Sequence, residues 1–151
     1  MLATGALDRH KVLVILHGDV METSDARRIA EWVKKGGRLI VMGVPKLESV
    51  EATSDPEKLL FADTPTGRTL GKGSVSRVSD WPALASALRS TLTGLSLPVY
   101  DLKKDGVFAT QIARDRFLFL NTGDEAKVEV EVKGKRTEAS AAGRTITEVG
   151  L

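Results

Sequence analysis

Two short apolar runs joined by one amphipathic segment constrain the fold of this chain more than any other feature. Residues 11–16 read KVLVIL and residues 38–42 read RLIVM, the pattern of strands buried on both faces of a parallel sheet. Between them, apolar residues recur at helical spacing and form one face (Ala26, Ile29, Ala30 and Val33). The segment is therefore predicted to be a β-α-β unit with a right-handed crossover to a parallel strand.

Polar and glycine residues predict where the helices begin and end. Thr23 or Ser24 is expected to cap the first helix, and Gly36-Gly37 is expected to stop it in a left-handed conformation. Residues 54–56 (Ser-Asp-Pro) predict the start of a second, short helix. Asp80 is expected to cap a third helix, which covers residues 81–92 and ends at Gly94.

The last third of the chain has the pattern of short strands. Residues 107–112, 116–120 and 145–149 are strand-like, and residues 127–133 alternate strictly between valine and charged side chains. The fold class is therefore predicted to be α/β: a flavodoxin-like or Rossmann-like three-layer parallel sheet followed by a small antiparallel β module. The expected domains are residues 1–98 and 99–151.

Charge and composition argue against several function classes. The chain has 22 basic and 20 acidic side chains, so its excess of two positive charges is not a field that would hold nucleic acid. Its basic doublets and the cluster at residues 133–136 are interleaved with acids and are expected to be solvated surface. It has no cysteine, and its apolar runs are too short to cross a bilayer. We expect no signal peptide, no nucleic-acid partner and no membrane partner, and the cellular compartment stays open.

The strongest candidates for chemistry follow the two predicted parallel strands. Ligands of open parallel sheets bind beyond the carboxyl ends of the strands, which here carry His17 and Asp19 after the first and residues 43–46 after the second. A histidine beside an aspartate can act as a base and its orienting group. No nucleophile elbow accompanies them, so His17 and Asp19 are weak catalytic candidates and a polar loop is the favoured interpretation.

The remaining motifs favour structural roles. Gly71-Lys72-Gly73-Ser74 departs from the phosphate-loop spacing and precedes a strand, so a turn is predicted. The two histidines, His10 and His17, predict no metal site, and no cofactor motif is present. Trp32 and Trp81 are expected to pack in a core or an interface.

One stretch of motifs carries a family resemblance. The strand D-x-x-K-V-L-V-I-L, the helix ending E-W-V-K-K-G-G, the strand R-L-I-V-M-G and the later G-K-G-S-V turn stand at residues 8–75. They resemble the glutamine-amidotransferase-like domain that occurs as a non-catalytic module of multidomain glycoside hydrolases, including the trimerisation domain of some β-galactosidases. F-L-F-L-N-T-G at residues 117–123 is similar to the small C-terminal β domain that follows it. Amidotransferases of this fold use a cysteine, so that activity does not carry over to this cysteine-free chain.

The resemblance implies a non-catalytic structural or oligomerisation module whose partner is a second copy or a companion glycosidase domain. It also implies that another strand and helix of the same sheet come before Lys11, so that the chain is expected to enter the sheet part-way. Two alternatives of other classes stay open. One is a small hydrolase or transferase that uses His17 and Asp19, and the other is a carbohydrate-binding module. On the leading interpretation this chain catalyses no reaction by itself.

Overall fold

The computed structural model describes residues 5–51, 55–102 and 105–150, and the chain divides into two compact units, Met1–Leu88 (unit 1) and Arg89–Leu151 (unit 2). Strand accounts for 42% of the chain and helix for 22%, so the protein is mostly β and its α/β character is concentrated in unit 1. The predicted domain limits, 1–98 and 99–151, stay a prediction.

Unit 1 is built on a four-stranded sheet of order β1-β3-β6-β5. Its elements in chain order are β1 (Val12–Leu16), β2 (Val20–Met21), α1 (Thr23–Lys34), β3 (Arg38–Met42), β4 (Glu48–Ser49), α2 (Pro56–Leu60), β5 (Gly67–Leu70), β6 (Gly73–Val78) and α3 (Trp81–Gly94), the last of which spans the division between the units. β1 pairs with β3 in parallel, which confirms the predicted β-α-β unit. β2 and β4 form a separate two-stranded parallel sheet.

The central sheet is mixed, and the flavodoxin-like assignment is not confirmed. β6 continues the parallel series beside β3, but β5 pairs with β6 in antiparallel orientation. The reason is the two-residue connection at Gly71-Lys72, because strands joined by so short a turn can only run in opposite directions. The strand at β6 was predicted from its sequence, whereas β5 was not.

The two faces of the sheet bury different helices. Leu39 and Val41 of β3 point into a core that α1 and α2 complete, with Ile29, Val33 and Leu60 among its members. On the opposite face, Ile40 and Met42 pack with Leu84 of α3. Successive side chains of a strand point to opposite faces, so the continuous apolar run of β3 is what allows both cores to form.

The start of α1 corrects the predicted cap. The residue preceding the helix is Glu22, whose side chain makes no capping hydrogen bond, and Thr23 is already the first helical residue. The backbone N–H of Thr23 donates instead to Oε2 of Glu51 at 2.9 Å. A distant carboxylate thus replaces the local hydroxyl that the sequence suggested. The two other predicted helix starts are confirmed, because Asp55 and Asp80 each accept a backbone N–H three residues on.

Unit 2 contains two three-stranded antiparallel sheets that share one core. Its strands are β7 (Val99–Asp101), β8 (Val107–Ala113), β9 (Arg116–Asn121), β10 (Ala126–Val132), β11 (Lys135–Ala141) and β12 (Thr145–Gly150). The sheet orders are β11-β10-β7 and β12-β9-β8. Phe117 and Phe119 from one sheet meet Val128 and Val130 from the other, which confirms the predicted small antiparallel module.

One buried amide organises the turn after β9. Asn121 is 1% exposed, and its Nδ2 donates to the carbonyl oxygens of Asp124 (2.7 Å) and Ala141 (3.0 Å). Its Oδ1 accepts the N–H of Gly123 at 2.9 Å. All its hydrogen-bonding atoms are thereby paired, as a buried polar group requires. The turn over residues 121–124 therefore depends on this side chain.

Candidate functional site

The carboxyl ends of β1 and β3 place the candidate residues at one edge of the sheet. His17 directly follows β1 in a left-handed conformation (φ 52°), and its N–H donates to the carbonyl oxygen of Met42 at 3.0 Å. Its imidazole lies against the backbone of Gly43, because a Cβ added there would stand 2.4 Å from both Nδ1 and Cε1 of the ring. Gly43 itself has φ 68°, so both its conformation and this contact require glycine.

Asp19 is two residues further along the chain, and its backbone contacts the small β2–β4 sheet. It is exposed, and its carbonyl oxygen accepts the N–H of Glu48 at 2.7 Å, which leads into the small β2–β4 sheet. No hydrogen bond or ion pair joins the side chains of His17 and Asp19, both of which belong to the described residues. The structure therefore does not bring these two into the base-and-orienter arrangement that catalysis would need.

A cleft of about 390 Å³ opens beside the ends of β3 and β6. It is lined by Gly43, Val44, Pro45, Pro65, Thr66, Arg77, Val78 and Ser79. The lining is mainly apolar and backbone, and its one charged member is Arg77. The chemistry open to this cleft therefore depends on whether the Arg77 guanidinium is available to a ligand.

Arg77 is held by groups of the protein itself. Its Nη1 and Nη2 donate to the two carboxylate oxygens of Glu57 at 3.0 and 2.6 Å, and Nη1 also donates to the carbonyl oxygen of Pro65 at 2.8 Å. The guanidinium carbon stands 4.0 Å from the centre of the Phe61 ring, and Nε is buried with no hydrogen-bond partner. Bidentate pairing and stacking fix the planar group in place.

Glu57 completes this cluster from the first turn of α2. Its Oε2 also accepts the backbone N–H of Leu47 at 3.0 Å. Burial raises the pKa of Glu57, but the hydrogen bonds from Arg77 and Leu47 and the charge of Arg77 outweigh burial and hold it below the ordinary value of 4.5. Both side chains are largely buried, with 12% of Arg77 and 15% of Glu57 exposed. The pair was not predicted from the sequence, where no pattern relates residues twenty positions apart.

The glycine motifs of the chain serve close backbone packing. At the end of α1, the indole ring of Trp32 lies over Gly37, where an added Cβ would stand 2.4 Å from ring atoms. In the β5–β6 turn, an added Cβ at Gly73 would stand 2.1 Å from the carbonyl oxygen of Val33. Lys72 then donates its N–H to the carbonyl oxygen of Lys34 at 2.9 Å, at the end of the same helix. The predicted turn at Gly71-Lys72-Gly73 is confirmed, and it holds the C-terminus of α1.

The two tryptophans have different surroundings. Trp32 is 8% exposed, and its Nε1 donates to the carbonyl oxygen of His10 at 3.2 Å, so its predicted burial is confirmed. Trp81 is 62% exposed at the start of α3, so the prediction that it packs in a core was wrong. Helical periodicity did not reveal this, because the first residue of a helix projects beyond the face that its later residues bury.

Charged groups elsewhere pair on the surface. Within residues 5–51, 55–102 and 105–150, no cluster of three or more histidine, aspartate or glutamate side chains has the geometry to hold a metal ion. Arg136 pairs with Glu131 at 3.1 Å and Lys127 with Glu138 at 2.9 Å. No helix in those ranges is long and apolar enough to traverse a bilayer.

Comparison with known proteins finds likeness in fold but not in sequence. No protein-family model matches the sequence, and no curated protein matches it either. Among solved structures, an apo exo-carrageenase GH42 from Bacteroides ovatus superimposes with a TM-score of 0.54 at 14% identity, over 97% of this chain and 23% of that chain. Gan42B, a GH42 β-galactosidase from G. stearothermophilus, gives a TM-score of 0.62 at 12% identity, over 96% and 32%. A β-galactosidase from Rahnella sp. R3 gives 0.61 at 12% identity, over 94% and 32%.

These similarities show the fold alone. The chain spans between 23% and 32% of the length of these three glycoside hydrolase chains, and the match runs through both of its units. The chain therefore shares the fold of a segment of these glycoside hydrolase chains.

Proposed function

We propose that this chain is a non-catalytic assembly module of a larger glycoside hydrolase. In this proposal unit 1 corresponds to the glutamine-amidotransferase-like, trimerisation-type domain of β-galactosidases, with a flavodoxin-like three-layer core, and the second module corresponds to the small β domain that follows. The boundary between them lies near residue 98. The partner is a second copy of the chain or a companion glycosidase domain.

The observation that carries the proposal is the state of the strand-end side chains. At the sheet edge where ligands of such folds bind, the His17 ring packs against Gly43 and the Arg77 guanidinium is held by Glu57. A general base needs a free nitrogen within reach of a substrate proton, and an anion site needs available donors. Among the described residues His17 has no hydrogen-bonded carboxylate to orient its ring, and the Arg77 guanidinium donates to Glu57 and to the carbonyl oxygen of Pro65.

The fold comparisons support the same proposal. The solved chains that share this fold include two β-galactosidases and one exo-carrageenase, and each is at least three times as long as the matched segment. An assembly role also agrees with the exposed apolar side chains on both units, which include Trp81 (62% exposed) and Phe108 (60%). Exposed groups of this size often mark protein contacts.

The decisive test is turnover by the purified chain. Aryl galactosides, carrageenan-type oligosaccharides and glutamine would be incubated with wild type, His17→Ala and Asp19→Ala, with a galactosidase as the positive control. We expect no rate above the buffer blank for any substrate. A wild-type rate that disappears in either variant, while folding by circular dichroism is unchanged, would refute the proposal and favour the hydrolase alternative. Saturable sugar binding without turnover would favour a carbohydrate-binding module.

A further inference from the structure

A small pocket of unit 2 is lined by the β8–β9 turn and by residues on either side of the β10–β11 turn. It has a volume of about 170 Å³ and is formed by Arg114, Asp115, Phe117, Val132, Lys135 and Thr137. Phe117 belongs to the core of the unit and is 1% exposed, so the floor of the pocket is apolar. Pockets for drug-sized ligands are about 300–1,000 Å³, so this pocket suits a molecule of only a few carbon atoms.

The lysine of this pocket comes from the core face of its sheet. Lys135 stands opposite Val132 in the β10–β11 pair, and Thr137 stands opposite Val130 two residues further on. Residues directly opposite each other in an antiparallel pair place their side chains on the same face, and so do residues two apart in a strand. Because Val130 is buried in the core, Lys135 and Thr137 continue the core face toward the β10–β11 turn. Polar side chains thus stand where the core face of this strand would otherwise be apolar.

The two cations of the pocket are available to a ligand, whereas a neighbouring cation is not. Arg136 pairs with Glu131 at 3.1 Å on the outer face of the same sheet. In the part of the chain that the structure describes, the side chains of Arg114 and Lys135 make no hydrogen bond or ion pair. The turn that carries Arg114 is held by Nε2 of Gln111, which donates to its carbonyl oxygen at 2.9 Å. Positioned cations without a protein partner are donors for an anion.

We propose that this pocket binds a small organic carboxylate, with its oxygens held by Arg114 and Lys135 and its carbon atoms over the apolar floor. This function goes beyond the assembly role and does not rest on it. Guanidinium and ammonium groups donate charge-assisted hydrogen bonds to carboxylate oxygens. The hydroxyl of Thr137, which has no partner among the described residues, supplies one more donor. The cleft of unit 1 differs in this respect, because its arginine is already held by Glu57.

One acidic side chain of the lining gives the proposal a further test of sign. Asp115 follows Arg114 in the turn, and its carboxylate has no hydrogen bond or ion pair to any residue that the structure describes. Two cations and one anion leave the lining with an excess of one positive charge. Repulsion from Asp115 weakens the binding of a simple carboxylate, so its removal should strengthen that binding. A cationic ligand would respond in the opposite direction.

Titration of the isotope-labelled chain, followed by its amide chemical shifts, tests the site. The probe is benzoate, and the control is benzamide, which has the same ring and nearly the same shape without the charge. We expect benzoate to shift the amide signals of residues 114–117 and 132–137 saturably, with a dissociation constant in the millimolar range. Benzamide at the same concentrations and ionic strength is expected to leave those signals unchanged.

Substitutions assign the binding to individual side chains. Lys135→Gln and Arg114→Gln should each raise the dissociation constant for benzoate about fivefold, whereas Asp115→Asn should lower it about threefold. The matched control is Arg136→Gln, which removes a cation from the opposite face of the same strand and should change the constant by less than about twofold. All four side chains are exposed, and the spectra without ligand report whether each variant is folded.

Three results overturn the proposal. The first is benzoate that shifts no signal of the pocket saturably at concentrations up to about 50 mM. The second is benzamide that binds as tightly as benzoate. The third is binding that Arg136→Gln weakens as much as Lys135→Gln does, because the binding would then follow the charge of the whole surface and not the pocket. None of these results bears on the assembly function, which the turnover assay tests separately.

Discussion

Removing the Arg77 guanidinium should destabilise unit 1 more than any surface ion pair in it does. In Arg77→Met, Glu57 keeps the hydrogen bond from the N–H of Leu47 but loses two charged hydrogen bonds, at a site where its side chain is 15% exposed in the wild-type protein. Removing one partner of a buried pair costs about 3–5 kcal/mol in the free energy of unfolding. For a unit of 88 residues this corresponds to a fall in the unfolding midpoint of roughly 15–30 °C.

The assay is thermal and urea unfolding followed by tryptophan fluorescence, because both tryptophans lie in unit 1. The matched control is Lys34→Met, which removes the exposed pair with Glu31 (2.6 Å) in the same unit. That change is expected to cost about 0.5 kcal/mol. If Arg77→Met is destabilised no more than Lys34→Met, the guanidinium is not held structurally, and it becomes available as a ligand-binding group of the cleft.

The pair also predicts how stability depends on pH. The pKa of Glu57 in the folded protein lies below its ordinary value of 4.5, so its contribution is fully present above pH 4.5 and is lost as the pH falls through the folded pKa. Glu57→Gln should lower the free energy of unfolding at pH 7 and flatten its decline as the pH falls below 4.5. A decline as steep as that of wild type would contradict this assignment.

Four further substitutions test the packing and capping contacts, one of them as a control. Gly73→Ala should destabilise unit 1 by about 3 kcal/mol, because the new Cβ would meet two backbone carbonyl oxygens at 2.1 and 2.2 Å. The control is Gly94→Ala, where no atom lies within 4 Å of the added Cβ, and it should be neutral or stabilising by up to about 1 kcal/mol. Urea unfolding measures both. Asn121→Ala should cost about 2–3 kcal/mol in unit 2, since it removes the amide that bonds to two carbonyl oxygens and one N–H, and calorimetry that finds no loss would contradict it. Glu51→Gln should weaken the N-terminus of α1 at neutral pH, because it removes the carboxylate that accepts the Thr23 N–H. Below the lowered pKa of Glu51 the substitution should have no such effect, because the wild-type carboxylate is then already protonated. The rate of amide exchange at Thr23, compared between variant and wild type at the two pH values, measures this.

The sequence predicted where the candidate site residues lie, but not which contacts their side chains make. His17 and Asp19 do follow β1, and Gly43 follows β3, as buried parallel strands require. What their side chains do was not predictable, because the packing of His17 on Gly43 depends on the register between two strands 26 residues apart. The Glu57–Arg77 pair was missed for the same reason.

The sequence by itself determined the local elements. The periodicity of α1, the uninterrupted apolar runs of β1 and β3 and the alternation of β10 identify helix and strand because each reflects how neighbouring side chains point. β11, with the sequence KRTEASA, has no such pattern and is a strand only because it pairs with β10 along its whole length.

Only the tertiary structure decided which groups satisfy one another. The N–H of Thr23 is capped by Glu51 from 28 residues away, and β5 reverses the direction of the sheet through a turn that must also fit against α1. Among the described strands, β1 lies at the edge of the sheet although its composition is that of an interior strand. Side-chain patterns report burial along one segment, whereas hydrogen-bond partners and edges depend on where the chain returns, which no local pattern contains.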